Sequence, residues 1–299
     1  MRATARAVLS AAAIAVAACT YGPPAYHGKI DSAAVLDDGR VALSYSQMVA
    51  RPPTGIATFP DGGISRVLYD RFVIALVDPD GRTRELARFA NTALPGNGNV
   101  HVAWYTEDPQ HVYVTRSGQL TTSTPLRWLH QTVRMDLNGH SGPSFDIVRE
   151  LKQRGRAFGA KDFGGDRPID SDGDMLVGAT HGADQEIWLR SARGAWRQLA
   201  RFDRDASIVG DDIVYTQGDY QYALNWRTSR LRPIVHFNRS TQQSEIIDRN
   251  DPALRKLRNP DIARPAQAFV SDDRHGVRIN RENRFEREVR PDLTVLDRR

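Results

Sequence analysis

The chain has 299 residues, 40% of them hydrophobic and 26% charged, with 41 Lys+Arg against 36 Asp+Glu and a formal net charge of +5. That is the make-up of a folded protein with a large core. The small basic excess sits in the first few residues and after Arg249, which gives no reason to expect nucleic-acid binding. A single cysteine excludes a disulfide framework.

The first eighteen residues have the three parts of an export signal. Arg2 and Arg6 are basic, Ala7 to Ala18 is an apolar run, and small residues precede Cys19. As a helix the run spans about 18 Å, short of a hydrocarbon core of about 30 Å, so it does not read as a transmembrane anchor. Val16-Ala17-Ala18-Cys19 resembles the lipobox of bacterial lipoproteins. That resemblance implies a signal peptide over 1–18, a diacylglyceryl thioether on Cys19, and acylation of the new N-terminus. It also implies a partner, the lipid bilayer, and removes thiol chemistry at Cys19. Thr20 stands where an Asp would retain such a protein in the inner membrane, which implies the outer membrane, facing the periplasm. Three acyl chains exceed the two signals needed for stable anchoring. Residues 19–30 then read as a Pro-rich tether, because Pro23 and Pro24 favour extended chain, and 31–299 as one folded body.

From residue 31 onward, short alternating runs are separated by Asp-Gly, Asp-Asp or Gly-Asp turns, which is hairpin chemistry. In chain order the predicted hairpins turn at Asp37–Gly39, Asp78–Gly81, Glu107–Pro109, Asp170–Gly173, Gly210–Asp212 and Ser271–Arg274. Outer hairpins are predicted for 133–137 with 144–148, 185–189 with 195–199, and 234–237 with 244–247. The pattern repeats as about five units, near 31–90, 97–150, 166–203, 205–249 and 264–297. Units of four antiparallel strands at this spacing predict an all-β fold, a β-propeller or propeller-like array. One short helix is expected near 252–258, with Asp251 as N-cap and Pro252 in its first position.

Asp170, Asp172 and Asp174 alternate around Gly173, as oxygen ligands do at the start of a calcium loop. Asp162-Phe-Gly-Gly-Asp166 and Leu176-Val-Gly-Ala179 on either side resemble the calcium-binding repeats of integrin-type propellers. The pattern lacks a second Gly and a later acidic ligand, so a solvated Asp-rich turn is the stronger expectation, with no cofactor otherwise. The eight histidines are scattered and form no HExxH, HxH or HxxxH pair. Trp104, Tyr105, Tyr220, Tyr222 and Trp226 fall at strand ends or in loops, where aromatic planes would suit a sugar or peptide groove. The arginines at 281, 284, 287 and 290 interleave with Glu282, Glu286 and Glu288 and read as a solvated face.

No catalytic motif stands out. The expected function is therefore a non-enzymatic, membrane-anchored scaffold or binding module for an envelope protein or a cell-envelope polymer such as a polysaccharide. The alternative is a carbohydrate-active enzyme, a glycosidase or lyase, on the same scaffold. A glycosidase needs two carboxylates flanking the scissile bond, and the acidic residues here sit in turns.

Overall fold

A computed structural model describes residues 25–51, 66–90, 99–120, 127–159, 166–203, 206–258 and 266–297. Residues 1–18, read above as a signal peptide, and Cys19 lie outside the described residues. The described chain is mostly β, in five antiparallel sheets that follow one another along the sequence.

The first sheet is β1 (Ala25–Val35), β2 (Val41–Arg51), β3 (Arg66–Val77) and β4 (Thr83–Ala90), paired in chain order. The second is β5 (Asn99–Trp104), β6 (His111–Leu120) and β7 (Arg127–Asp136), followed by helix α1 (Ile147–Lys152). In the third, β8 (Ala157–Phe158) and β9 (Asp166–Pro168) both pair with β10 (Met175–His181), which continues to β11 (Asp184–Arg190) and β12 (Trp196–Phe202). The fourth runs β13 (Ala206–Val209), β14 (Asp212–Gln217), β15 (Tyr220–Asn225), β16 (Arg230–Asn238) and β17 (Gln243–Ile246), followed by α2 (Pro252–Arg258). The fifth is β18 (Gln267–Val270), β19 (Val277–Arg281) and β20 (Arg284–Val289), followed by α3 (Leu293–Leu296).

The period of two along a strand explains how the sheets stack. In the first sheet Val41, Leu43, Tyr45, Val73, Ala75 and Val77 pack with Val277, Ile279 and Val289 of the fifth sheet and Leu296 of α3. The alternate residues Ala42, Phe72, Ile74 and Leu76 pack with Val100, Val102, Val112, Val114 and Met135 of the second. Both faces are thus buried, which is why Phe72–Val77 reads as a continuous apolar run. Each fully buried large side chain in such a layer contributes roughly 1.5–3 kcal/mol. Tyr113 of the second sheet meets Met175, Val177 and Ala179 of the third, with Ile147 and Leu151 of α1. The third and fourth join through Leu176, Ile187 and Phe202 against Ile213, Tyr215 and Leu224. The other face of the fourth sheet, Val214, Ala223, Ile234 and Val235, is covered by Ala253 and Leu254 of α2. Among the described residues no core cluster joins the fourth sheet to the fifth.

Polar ties accompany the apolar ones. Between the first two sheets, Ser44 Oγ donates to Val100 O at 2.7 Å, and Val102 N donates to Ser32 Oγ at 2.8 Å. Tyr45 Oη donates to Asp297 Oδ1 at 2.7 Å, tying the segment after β20 to the first sheet. Gly81 stands where the β3–β4 turn meets that same segment. Its φ is 89°, and a Cβ there would lie 2.5 Å from Arg290 O.

The hairpin turns fall where the Asp-Gly and Asp-Asp signals place them, and α2 spans the predicted 252–258. Three expectations change. The units are not uniformly four-stranded: the sheets hold four, three, five, five and three strands. Residues 144–148, read as a strand, give only a bridge from Phe145 to Thr132 before the chain enters α1. The Asp146 carboxylate accepts from Arg149 N at 2.8 Å and caps that helix, while Ile147 and Leu151, one turn apart, are its buried face. Finally, β1 begins at Ala25, inside the stretch read as a tether over 19–30, because residues 25–30 continue the ladder with β2.

Candidate functional site

Edge strands of four sheets border one cavity of about 620 Å³. Ala33–Val35 of β1, His101–Trp104 of β5 with the turn to Glu107, Asp166 and Arg167 of β9, and Ala266–Phe269 around β18 form its walls. Alanines at 33, 34, 103, 266 and 268 keep it open.

A second cavity of about 280 Å³ lies between the second and third sheets and shares His101, Ala103, Tyr105 and Asp166 with the first. Its polar wall follows from strand register. Thr115 pairs with His101 on one side and Thr132 on the other, and Ser117 pairs with His130. These residues therefore share one face of the second sheet. The Thr115 and Thr132 hydroxyls are 3.0 Å apart. Phe158 of β8 stands against the His130 ring with centroids 5.6 Å apart, and Tyr105 meets Tyr113 edge-to-face at 5.5 Å.

Asp166 is the carboxylate of this slot. It is half-buried, its own backbone N–H bonds to it, and among the described residues no hydrogen bond or ion pair from another residue reaches its side chain. Desolvation raises its carboxyl above the ordinary value, and the charges of His130 and His101 offset only part of that. His101 opens onto the cavity, but surrounding protein still desolvates it and holds its imidazole below the ordinary value, with Asp166 pulling the other way. The Tyr105 phenol is pushed up to about 12 by desolvation and by the charge of Asp166. Its hydroxyl donates to the Asp166 main-chain oxygen at 3.4 Å, a long bond. The cavity's other carboxylate, Glu107, is ion-paired with Arg167.

The remaining buried carboxylates are gripped by cations. Asp108 accepts from Arg134 Nε at 2.6 Å and Tyr113 Oη at 2.8 Å, and lies 2.7 Å from His111 Nδ1. Burial pushes its carboxyl up, but these donors outweigh burial and the net shift is downward. Glu186 holds Arg156 at 2.6 Å, and Arg232 spans Asp251 at 2.5 Å and Asp212 at 3.3 Å. These pairs join turns to sheets and do not point into the cavity.

The residues singled out in the sequence separate in space. Trp104 and Tyr105 both line the larger cavity. Tyr220 and Tyr222 lie on β15 in the fourth sheet, where Tyr220 stacks on His236 at 4.6 Å and Tyr222 on Tyr215 at 5.8 Å. Trp226 is 7% exposed and belongs to the core between the third and fourth sheets. Asp170 Oδ1 accepts from the backbone N–H groups of Asp172, Gly173 and Asp174 at 3.1, 3.1 and 3.2 Å. Asp174 Oδ1 accepts from Ala192 N at 2.9 Å. These carboxylates serve the turn, and among the described residues no group of three or more His, Cys, Asp or Glu is placed to hold a metal ion. His101, Ser117 and His130 carried no signal of their own in the sequence, and Asp166 was marked only as the end of the calcium-like run from Asp162, which itself lies outside the described residues. Only the pairing of β5, β6 and β7, and the packing of β9 against them, brings them together.

No protein-family model and no curated protein matches the chain. Among solved structures, a functionally unknown protein from Desulfotomaculum acetoxidans is similar at 10% identity and TM-score 0.29, over 87% of this chain and 85% of that one. An acylaminoacyl peptidase of Pyrococcus horikoshii is similar at 10% identity and TM-score 0.32, over 85% of this chain and 43% of its own. A protein from Lactobacillus plantarum gives 9% identity and TM-score 0.25, over 73% of this chain and 84% of that one.

Proposed function

We propose that this chain is a lipid-anchored binding module of the bacterial envelope. Its five sheets form a propeller-like body, carried on acylated Cys19 at the periplasmic face of the outer membrane. The cavity at the inner strands receives part of an envelope protein or a cell-envelope polymer. The observation that carries this reading is the cavity's acidic inventory. Glu107 is tied to Arg167, which leaves Asp166 as the one carboxylate facing the cavity without a cation among the described residues. A carbohydrate-active enzyme of the usual kind would need a second carboxylate across the bond being cleaved. Aromatic side chains at Trp104, Tyr105 and Phe269, beside small alanines, suit recognition by shape and stacking.

The test is photo-crosslinking in intact cells from a reactive residue placed at Phe269, with a control at Leu231 on the fourth sheet, 50% exposed. Capture of the same envelope component from position 269 and not from 231 is the expected result. Polysaccharide turnover by the purified protein, with no component captured, would replace the reading with an enzymatic one. Anchoring has its own check: Cys19→Ala should abolish fatty-acid labelling, and persistent labelling would remove the lipoprotein assignment.

A further inference from the structure

We infer that the slot between the second and third sheets binds an organic ammonium group, with Asp166 as its counter-ion. This rests on the reading of the cavity as a binding site and adds the chemical class of what enters it.

Three observations converge. First, among the described residues the slot is lined by no lysine or arginine, in a chain that contains 41 of them. Arg167, next to Asp166 in sequence, is committed to Glu107, and Arg134 of β7 to Asp108. Second, Asp166 departs from the pattern of its own molecule. The buried Asp108, Glu186, Asp212 and Asp251 each have an arginine within 3.3 Å. Asp166 has the same chain's arginines available in sequence, at Arg167, and yet its carboxylate is left facing the cavity. A desolvated carboxylate without a partner is unfavourable until a cation reaches it. Third, the rest of the wall suits an ammonium. The Thr115, Ser117 and Thr132 hydroxyls can accept its hydrogen bonds, and Tyr105, Tyr113 and Phe158 offer aromatic rings to a cation and apolar surface to its carbon stem. At about 280 Å³ the slot admits the end of a larger molecule, and the adjoining cavity of about 620 Å³ leaves room for what carries it. An anionic group would meet Asp166 with no compensating cation, so phosphates and carboxylates are disfavoured.

The experiment titrates the mature protein with n-butylammonium, n-butanol, butyrate and glucose, following the ligand by NMR. Butylammonium should bind saturably, and the neutral and anionic probes at least about tenfold more weakly, as loss of a charge-assisted hydrogen bond implies. Asp166→Asn should cost about tenfold or more in butylammonium affinity without lowering the thermal midpoint. Nα-acetyl-lysine amide against glucosamine then separates a protein side chain from an amino sugar as the source. Equal binding of butanol and butylammonium, tighter binding of butyrate or glucose, or unchanged affinity in Asp166→Asn would overturn the ammonium class while leaving a binding cavity. If no probe binds the wild-type protein, the inference falls. The crosslinking result at position 269 separately decides whether the cavity binds anything.

Discussion

Asp108 and Asp166 face the same junction between the second and third sheets, and their surroundings are opposites. Asp108 is fully enclosed and surrounded by Arg134, Tyr113 and His111, all within 2.8 Å. Asp166 is half-buried between two histidines and accepts no hydrogen bond from another residue among those described. Tyr113 touches both environments, since its hydroxyl serves Asp108 while it also lines the slot. The contrast separates two uses of a carboxylate. One has its desolvation offset from within and locks a turn to a sheet. The other has its desolvation left open, at the cost of some stability, as binding sites commonly do.

The largest effect should come from breaking the first arrangement. Arg134→Met leaves the enclosed Asp108 without its main counter-charge and removes the donor to Ser171 O. A loss of about 3 kcal/mol is expected from removing one partner of a buried pair, read as a lower urea midpoint. An unchanged midpoint would show that His111 and Tyr113 suffice. Tyr113→Phe keeps the ring against Tyr105 and removes one hydrogen bond to Asp108. The expected loss is about 1 kcal/mol, with little change in ammonium binding.

The same contrast explains what could be read in advance. The turns were legible because Asp-Gly and Asp-Asp pairs announce positive φ, as at Gly39, Gly81 and Gly173. Helix α2 was legible from Asp251-Pro252, whose carboxylate accepts from Ala253 N at 2.8 Å. Helix α1 was not, because Ser144–Val148 alternates like a strand and only the Asp146 cap and the Ile147–Leu151 spacing betray it. The aromatic pair Trp104-Tyr105 pointed at the cavity, whereas Trp226 was used for packing. The slot itself was illegible. His101, Ser117 and His130 acquire a common face from strand register, and register is a long-range property that no local motif encodes.

The smallest effects carry the sharpest comparison, because their signs differ. Asp108 has a depressed folded-state pKa, so its contribution to stability is full above the ordinary carboxylate range and is lost as pH falls through the folded value. Asp108→Asn should therefore be less stable than wild type near pH 7, with the two curves converging in acid. Asp166 has a raised folded-state pKa, so its contribution is present below the ordinary range and is lost as pH rises through the folded value. Asp166→Asn should match wild type in acid and become the more stable of the two toward pH 7, within about 1 kcal/mol. The groups facing Asp166 do not reverse this. Burial outweighs the favourable charges of His130 and His101, and Arg167 is occupied by Glu107. Chemical-denaturation curves at a series of pH values decide the matter. Two variants that lose stability in the same direction would mean that Asp166 is a structural anchor like Asp108. Opposite slopes would mean that the fold holds a carboxylate without a cation between its second and third sheets against its own stability.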